Sequence, residues 1–141
     1  MFDLKENIFN TCDSLTFKFL LYMTDSIKLH TDHKKWLRDL DFYEDEIRFF
    51  FKELDRIFEK NIFNISTIGN SEEYKNILHK KKNKIVELKE KIQRHELEMS
   101  ENNDVLKDEF AHEEMELEMR KFVLNFEKLK KTFKRFASRN D

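Results

Sequence analysis

Trp36-Leu-Arg-Asp-Leu40-Asp-Phe-Tyr43-Glu44-Asp-Glu-Ile47-Arg-Phe-Phe50-Phe51-Lys-Glu-Leu54-Asp-Arg-Ile57-Phe58 decides the fold, because Trp36, Leu40, Tyr43, Ile47, Phe50, Leu54 and Ile57 recur alternately four and three apart. That spacing puts all seven on one side of an α-helix, and Leu37, Phe51 and Phe58 widen the stripe. The helix is expected to begin near Thr31 or Asp32, whose side chains can accept from free backbone amides, and to lose its pattern at Asn61.

On the C-terminal side, Ile62 to Asn70 holds the only glycine, Gly69, among Asn64, Ser66, Thr67 and Asn70, and reads as a turn. A second stripe follows through Tyr74, Leu78, Ile85, Leu88, Ile92 and Met99, with Ser71 as the expected cap and Glu72 and Glu73 suited to the positive end of the helix dipole. Ser100 to Asp104 breaks the pattern and is expected to reverse the chain again, the alternative being one continuous long helix. The third stripe is Met115, Met119, Phe122, Phe126, Leu129, Phe133 and Phe136, and it ends in basic residues that complement the dipole. Its helix carries a second apolar line, Leu106, Phe110, Leu117 and Leu124, nearly opposite the first. Something must cover that line. Either the N-terminal segment forms a fourth helix on Leu15, Phe19, Tyr22 or Met23, and Ile27, or a partner subunit does the covering.

Composition agrees with this plan. A chain of 141 residues is one domain. Proline is absent and 40% of residues are charged, so helix interiors lack breakers, while 15 phenylalanines supply more core than a disordered chain would carry. The expected fold is all-α: an antiparallel bundle of three long helices over residues 31–141, preceded by an N-terminal segment, 1–30, that either adds a short fourth helix or does not.

The net charge of −2 gives no long-range field to attract nucleic acid or an anionic membrane, so neither is an expected partner. Cys12 is the single cysteine and cannot close an internal disulfide, which suits a reducing compartment. The opening residues lack the pattern of a signal peptide, and the apolar run from Leu15 to Met23 is about half the roughly 20 residues a membrane span needs. A cytoplasmic protein is expected. One glycine excludes a glycine-rich phosphate loop or a serine nucleophile elbow, and no histidine stands suggestively near Cys12, so no catalytic signature is present.

Chemistry could reside in the histidines. His33 and Glu44 fall within the first stripe, His95 lies on the edge of the second beside Leu88 and Ile92, and His112 is one heptad before Met119 on the third. With two reversals, the start of the first helix, the end of the second and the start of the third lie at one end of the bundle, which brings these residues to a common level. Imidazole and carboxylate groups projecting between facing helices form the ligand sets that hold iron, zinc or manganese, and Glu109-x-x-His112-x-x-x-Glu116 supplies the local spacing once. The expected metal ligands are therefore drawn from His33, Glu44, His95, Glu109, His112 and Glu116. The simpler reading makes the histidines register-setting polar residues bonded to Glu44, Tyr43 or an acidic neighbour, with His30 and His79 solvated and the Lys80-Lys81-Lys82 run a solvated face from which Lys81 snorkels outward.

The stretches His33-Lys-Lys-Trp36-Leu37-Arg-Asp-Leu40-Asp-Phe42-Tyr43-Glu44-Asp-Glu46-Ile47, Glu73-Tyr74-Lys-Asn76 and Glu87-Leu88-Lys-Glu-Lys-Ile92-Gln-Arg-His95-Glu96 resemble an uncharacterised family of short bacterial helical proteins. The resemblance covers residues 33 to about 136 and implies a helical bundle without implying an activity. In architecture the chain is also similar to hemerythrin-like and ferritin-like four-helix proteins. It departs from the first in having fewer paired histidines, with only His112-x-x-x-Glu116 matching, and from the second in having Glu109-x-x-His112 once rather than twice. Those departures leave a mononuclear centre rather than a dinuclear one. The function expected first is that of a non-catalytic module, pairing with a helical protein or with itself through outer residues such as Phe42 and Phe49. A transition-metal site is the alternative.

Overall fold

The computed structural model describes the backbone of residues 2–101 and 105–141 and the side chains of residues 15–21, 23–101 and 108–141. Three long helices make up the fold: α1 (Phe2–Lys60), α2 (Ile65–Glu101) and α3 (Val105–Arg139), with no strand among the described residues. Glu44 meets Lys89 and Asp55 meets Lys75, numbers falling along α2 as they rise along α1, so these helices are antiparallel. Lys91 meets Glu118, which makes α2 and α3 antiparallel, while the pairs Asp32 with His112 and Glu46 with Lys130 leave α1 and α3 parallel. The result is the expected all-α bundle of three packed helices.

The stripes are where spacing placed them. Leu40, Ile47, Leu54 and Ile57 of α1, Leu78, Ile85, Leu88 and Ile92 of α2, and Met119, Phe122, Phe126 and Phe133 of α3 are all buried in one core. Aromatic rings cross it: Tyr43 meets Phe126 at 4.7 Å between centroids and Phe50 meets Phe133 at 4.6 Å. Lys81, on the core side of α2, lays its stem inward with its ammonium 6.0 Å from the Phe122 ring, and burial pushes its pKa down. No described helix is long and apolar enough to cross a membrane.

Three boundaries differ from expectation. The helix of the first stripe does not start at Thr31 or Asp32, because α1 passes through both without a break. Thr31 bonds back through Oγ1 to the Ile27 carbonyl at 2.7 Å, as a threonine inside a helix does. A residue able to cap does not end a helix unless the backbone also turns, and nothing before Trp36 forces a turn. The segment expected to fold back as a fourth helix is therefore the front of α1. Leu15 and Phe19 on it are 68% and 62% exposed, uncovered by any part of their own chain among the described residues, and the side chain of Tyr22 lies outside those residues.

The first reversal is also shorter than Ile62 to Asn70, occupying only residues 61–64. Asn64 caps α2, its Oδ1 accepting from the Thr67 amide at 3.1 Å, and this displaces Ser71 from the expected capping role. Thr67 and Ser71 instead face the core, 4% and 0% exposed. Gly69 sits inside α2 without a positive φ, where glycine costs only about 1 kcal/mol against alanine, too little to outweigh a good cap and an inward face. At the second reversal Ser100 and Glu101 are still helical, and the remainder of that expected turn, residues 102–104, lies outside the described residues. So does the side chain of Leu106 on the outer line of α3.

Candidate metal centre

Core periodicity continues into the histidines. Leu29, His33, Trp36 and Leu40 step by four, three and four along α1; Ile85, Leu88, Ile92 and His95 step by three, four and three along α2; His112, Met115 and Met119 step by three and four along α3. Each imidazole thus takes a position that a leucine or phenylalanine holds elsewhere, and the three lie at the same pole of the bundle. His33, His95 and His112 are 1%, 3% and 5% exposed.

One nitrogen from each ring points to a common centre, all within 4.8 Å of one another. His33 Nε2 is 3.0 Å from His95 Nδ1 and 3.3 Å from His112 Nδ1. The opposite nitrogens of two rings meet carboxylates: His33 Nδ1 is 2.6 Å from Glu96 Oε1, and His112 Nε2 is 2.9 Å from Asp32 Oδ2. An ionised carboxylate only accepts, so when these rings are neutral the proton of each sits on its outer nitrogen and the inner nitrogen presents a lone pair. In that form His33 Nε2 and His112 Nδ1 face each other with no hydrogen between them. A proton on His95 Nδ1 would satisfy one of the two at most. Converging lone pairs in a dry site are repulsive unless a cation sits among them.

Electrostatics favour unprotonated His33 and His95. Burial lowers the His33 pKa, against the raising effect of Glu96 and with help from His95 and His112. Burial also lowers that of His95, where the carboxylate and backbone of Asp108 pull the other way. For Glu96, burial works upward but is outweighed by hydrogen bonds from His33 and His30, so its carboxyl group is held below the usual range. Neutral imidazoles backed by carboxylates are the form in which histidine binds a metal, the outer acceptor fixing tautomer and ring orientation. Trp36 lies over the cluster, its ring stacked on His112 at 4.8 Å and 26°, and shields one side from water.

Of the six ligands expected from sequence, the structure brings the three histidines together and leaves the three glutamates apart from them. Glu44 lies half-buried on the flank of α1, bound to Lys89 at 2.8 Å and Arg48 at 3.3 Å, with its pKa lowered chiefly by the Lys89 hydrogen bond. Glu116 pairs with Arg120 at 3.0 Å, and Glu109 is not among the grouped ligands. Helical-wheel counting from Leu40 put Glu44 in the stripe, but the stripe's edge is where lysines of the facing helix reach in. Sequence reasoning missed Glu96 and Asp32; His30 is exposed, as expected, and its Nδ1 also lies 2.9 Å from Glu96. Each missed carboxylate directly adjoins one histidine of the cluster in sequence and serves a histidine on another helix: Glu96 follows His95 yet binds His33, and Asp32 precedes His33 yet binds His112. Only the pairing of helices reveals that exchange.

Comparisons with protein-family models, with curated proteins and with solved structures found no match to this chain, so the assignment of the site rests on its own residues.

Proposed function

We propose that this protein is a metal-binding helical bundle that holds one transition ion on His33 Nε2, His95 Nδ1 and His112 Nδ1. The observation that carries the reading is the convergence of three buried imidazole nitrogens, with a carboxylate behind two of the rings. A tetrahedral shell with metal–nitrogen bonds of about 2.0–2.1 Å sets its ligands about 3.3 Å apart, close to the 3.0 and 3.3 Å separations at His33 Nε2. Three nitrogens without a thiolate or an inner carboxylate suit zinc or iron better than manganese, which prefers oxygen. Three protein ligands leave the fourth position to water or a small anion, and the pole is walled by carboxylates that would hold the ion's charge. The role is binding, storage or sensing of the ion. The self-association expected from sequence concerns a different surface, the outer faces of α1 and α3.

Zinc titration of metal-stripped protein purified without a histidine tag tests the reading. One equivalent should bind, and at a hundredfold excess over Kd it should stabilise the fold by about 2.7 kcal/mol, a rise of about 8 °C in Tm for a domain of this size. His95→Leu, which replaces a buried ring with a residue its stripe already uses, should fold and lose both effects. Wild-type protein that is folded yet takes up no zinc and melts unchanged would overturn the proposal.

A further inference from the structure

The core stripe of α1 does not stop where the bundle stops. Leu15 and Phe19 stand two heptads before Leu29 and His33, at the same helical phase, yet they are exposed where Leu29 and His33 are buried. Leu20 and Met23 beside them are 56% and 45% exposed. The reason is length: α2 residues pair with α1 residues whose numbers total about 130, so Glu101 at the end of α2 reaches about residue 29 and no further. Ahead of that level α1 is an apolar helical arm without neighbours among the described residues.

The same chain carries a matching vacancy. Between the parallel helices α1 and α3 runs a groove floored by Trp36, Tyr43 and Met119 and walled by Phe42 and Leu124. Its outer rim on α3 is the heptad line Phe110, Leu117 and Leu124, each more than half exposed. A helix laid antiparallel to both walls would complete an up-down-up-down bundle, the arrangement in which every neighbour is antiparallel. The arm cannot fill its own groove, because α1 is unbroken and points the arm away from it.

We infer that the arm of a second copy fills the groove, forming a two-fold dimer in which each chain supplies the other's fourth helix. Direction, length and area agree. With two copies facing pole to pole, each arm runs antiparallel to the other chain's α1, which is the sense the groove requires. Leu15 to Ile27 spans about 18 Å at 1.5 Å per residue, and the line Phe110 to Leu124 about 21 Å, both starting at the histidine pole. In that register Ile27 lies at the level of Phe110, Leu20 at the level of Leu117, and Leu15 approaches Leu124. At roughly 100 Å² of exposed surface for each apolar side chain, two such contacts bury on the order of 1,800 Å², the size of a stable protein interface.

Light scattering on the full chain tests this, with two double variants confined to exposed residues: Leu15→Lys with Phe19→Lys on the arm, and Leu117→Lys with Leu124→Lys on the groove. Wild type at tens of micromolar should show twice the 17.4 kDa chain mass, and each variant should return to a single chain mass with its helical circular dichroism unchanged. A monomeric wild type overturns the inference, whether the arm then serves another protein or a lipid surface. So does a groove variant that stays dimeric, which would mean that the arms pair with each other.

Discussion

The two poles of the bundle are closed by different chemistry. At the far pole, amides and a hydroxyl do the closing: Asn61 Nδ2 donates to the Ile57 and Asn140 carbonyls at 2.8 and 3.1 Å, Asn140 Nδ2 donates to the Phe136 carbonyl at 2.8 Å, and Thr67 Oγ1 donates to Asn140 Oδ1 at 2.9 Å. Donors of this network meet acceptors, although the buried Ser71 hydroxyl at the same pole has no partner. At the near pole three imidazoles meet nitrogen to nitrogen, with the carboxylates kept outside. A bundle that needed only a polar plug could have used asparagine at both ends. An ion held at the histidine pole, as proposed above, would account for the difference.

Disturbing one pole at a time sharpens the contrast. Asn140→Ala removes a donor and an acceptor from the far network and should cost about 1–3 kcal/mol in urea unfolding, with the zinc-induced gain left intact. Loss of that gain would show that the poles are not independent. A smaller change is expected from pH. The folded pKa values of His33 and His95 lie below the 6.5 of the unfolded chain, so below that pH the unfolded state binds more protons. Metal-free protein should therefore lose stability as pH falls from about 6.5 toward the folded values and be insensitive to these groups above it. Glu96, whose folded pKa is depressed, adds a separate loss only as the pH falls through the carboxylate range. Urea midpoints that stay flat from pH 7.5 to 5.5, or that fall equally in His33→Leu/His95→Leu protein, would count against the neutral cluster. The smallest effect belongs to Glu44→Gln. Its partners are the partly exposed Lys89 and Arg48, so the cost should stay within about 1 kcal/mol, and zinc stoichiometry should not move. A drop in zinc uptake would return Glu44 to the ligand set.

Much of this molecule was legible because one physical rule governs it. Trp36, Leu40, Tyr43, Ile47, Phe50, Leu54 and Ile57 of α1 are buried, as are Leu78, Ile85, Leu88 and Ile92 of α2 and the seven of α3 from Met115 to Phe136, while Leu37 and Phe51 at the edge of the first stripe are partly buried. The three histidines were found by the same arithmetic, since they occupy core phases. What escaped were features set by contacts between helices rather than along one. Asp32 and Glu96 lie beside the stripes, and their role depends on which neighbour the bundle brings opposite them. Glu44 has a favourable phase but a lysine of α2 within reach. The start of α1 and the place of the first turn failed for a related reason: capping residues and a lone glycine were given more weight than unbroken helix propensity on one side and the Asn64 cap on the other.

The single tryptophan of the chain is stacked on a ring of the candidate centre. Indole emission responds to charge placed against its π-face, so an ion taken up at the proposed centre should change an optical signal native to the protein. Its uptake and removal would then be followed by intrinsic fluorescence alone, with no label and no second indole to obscure the change.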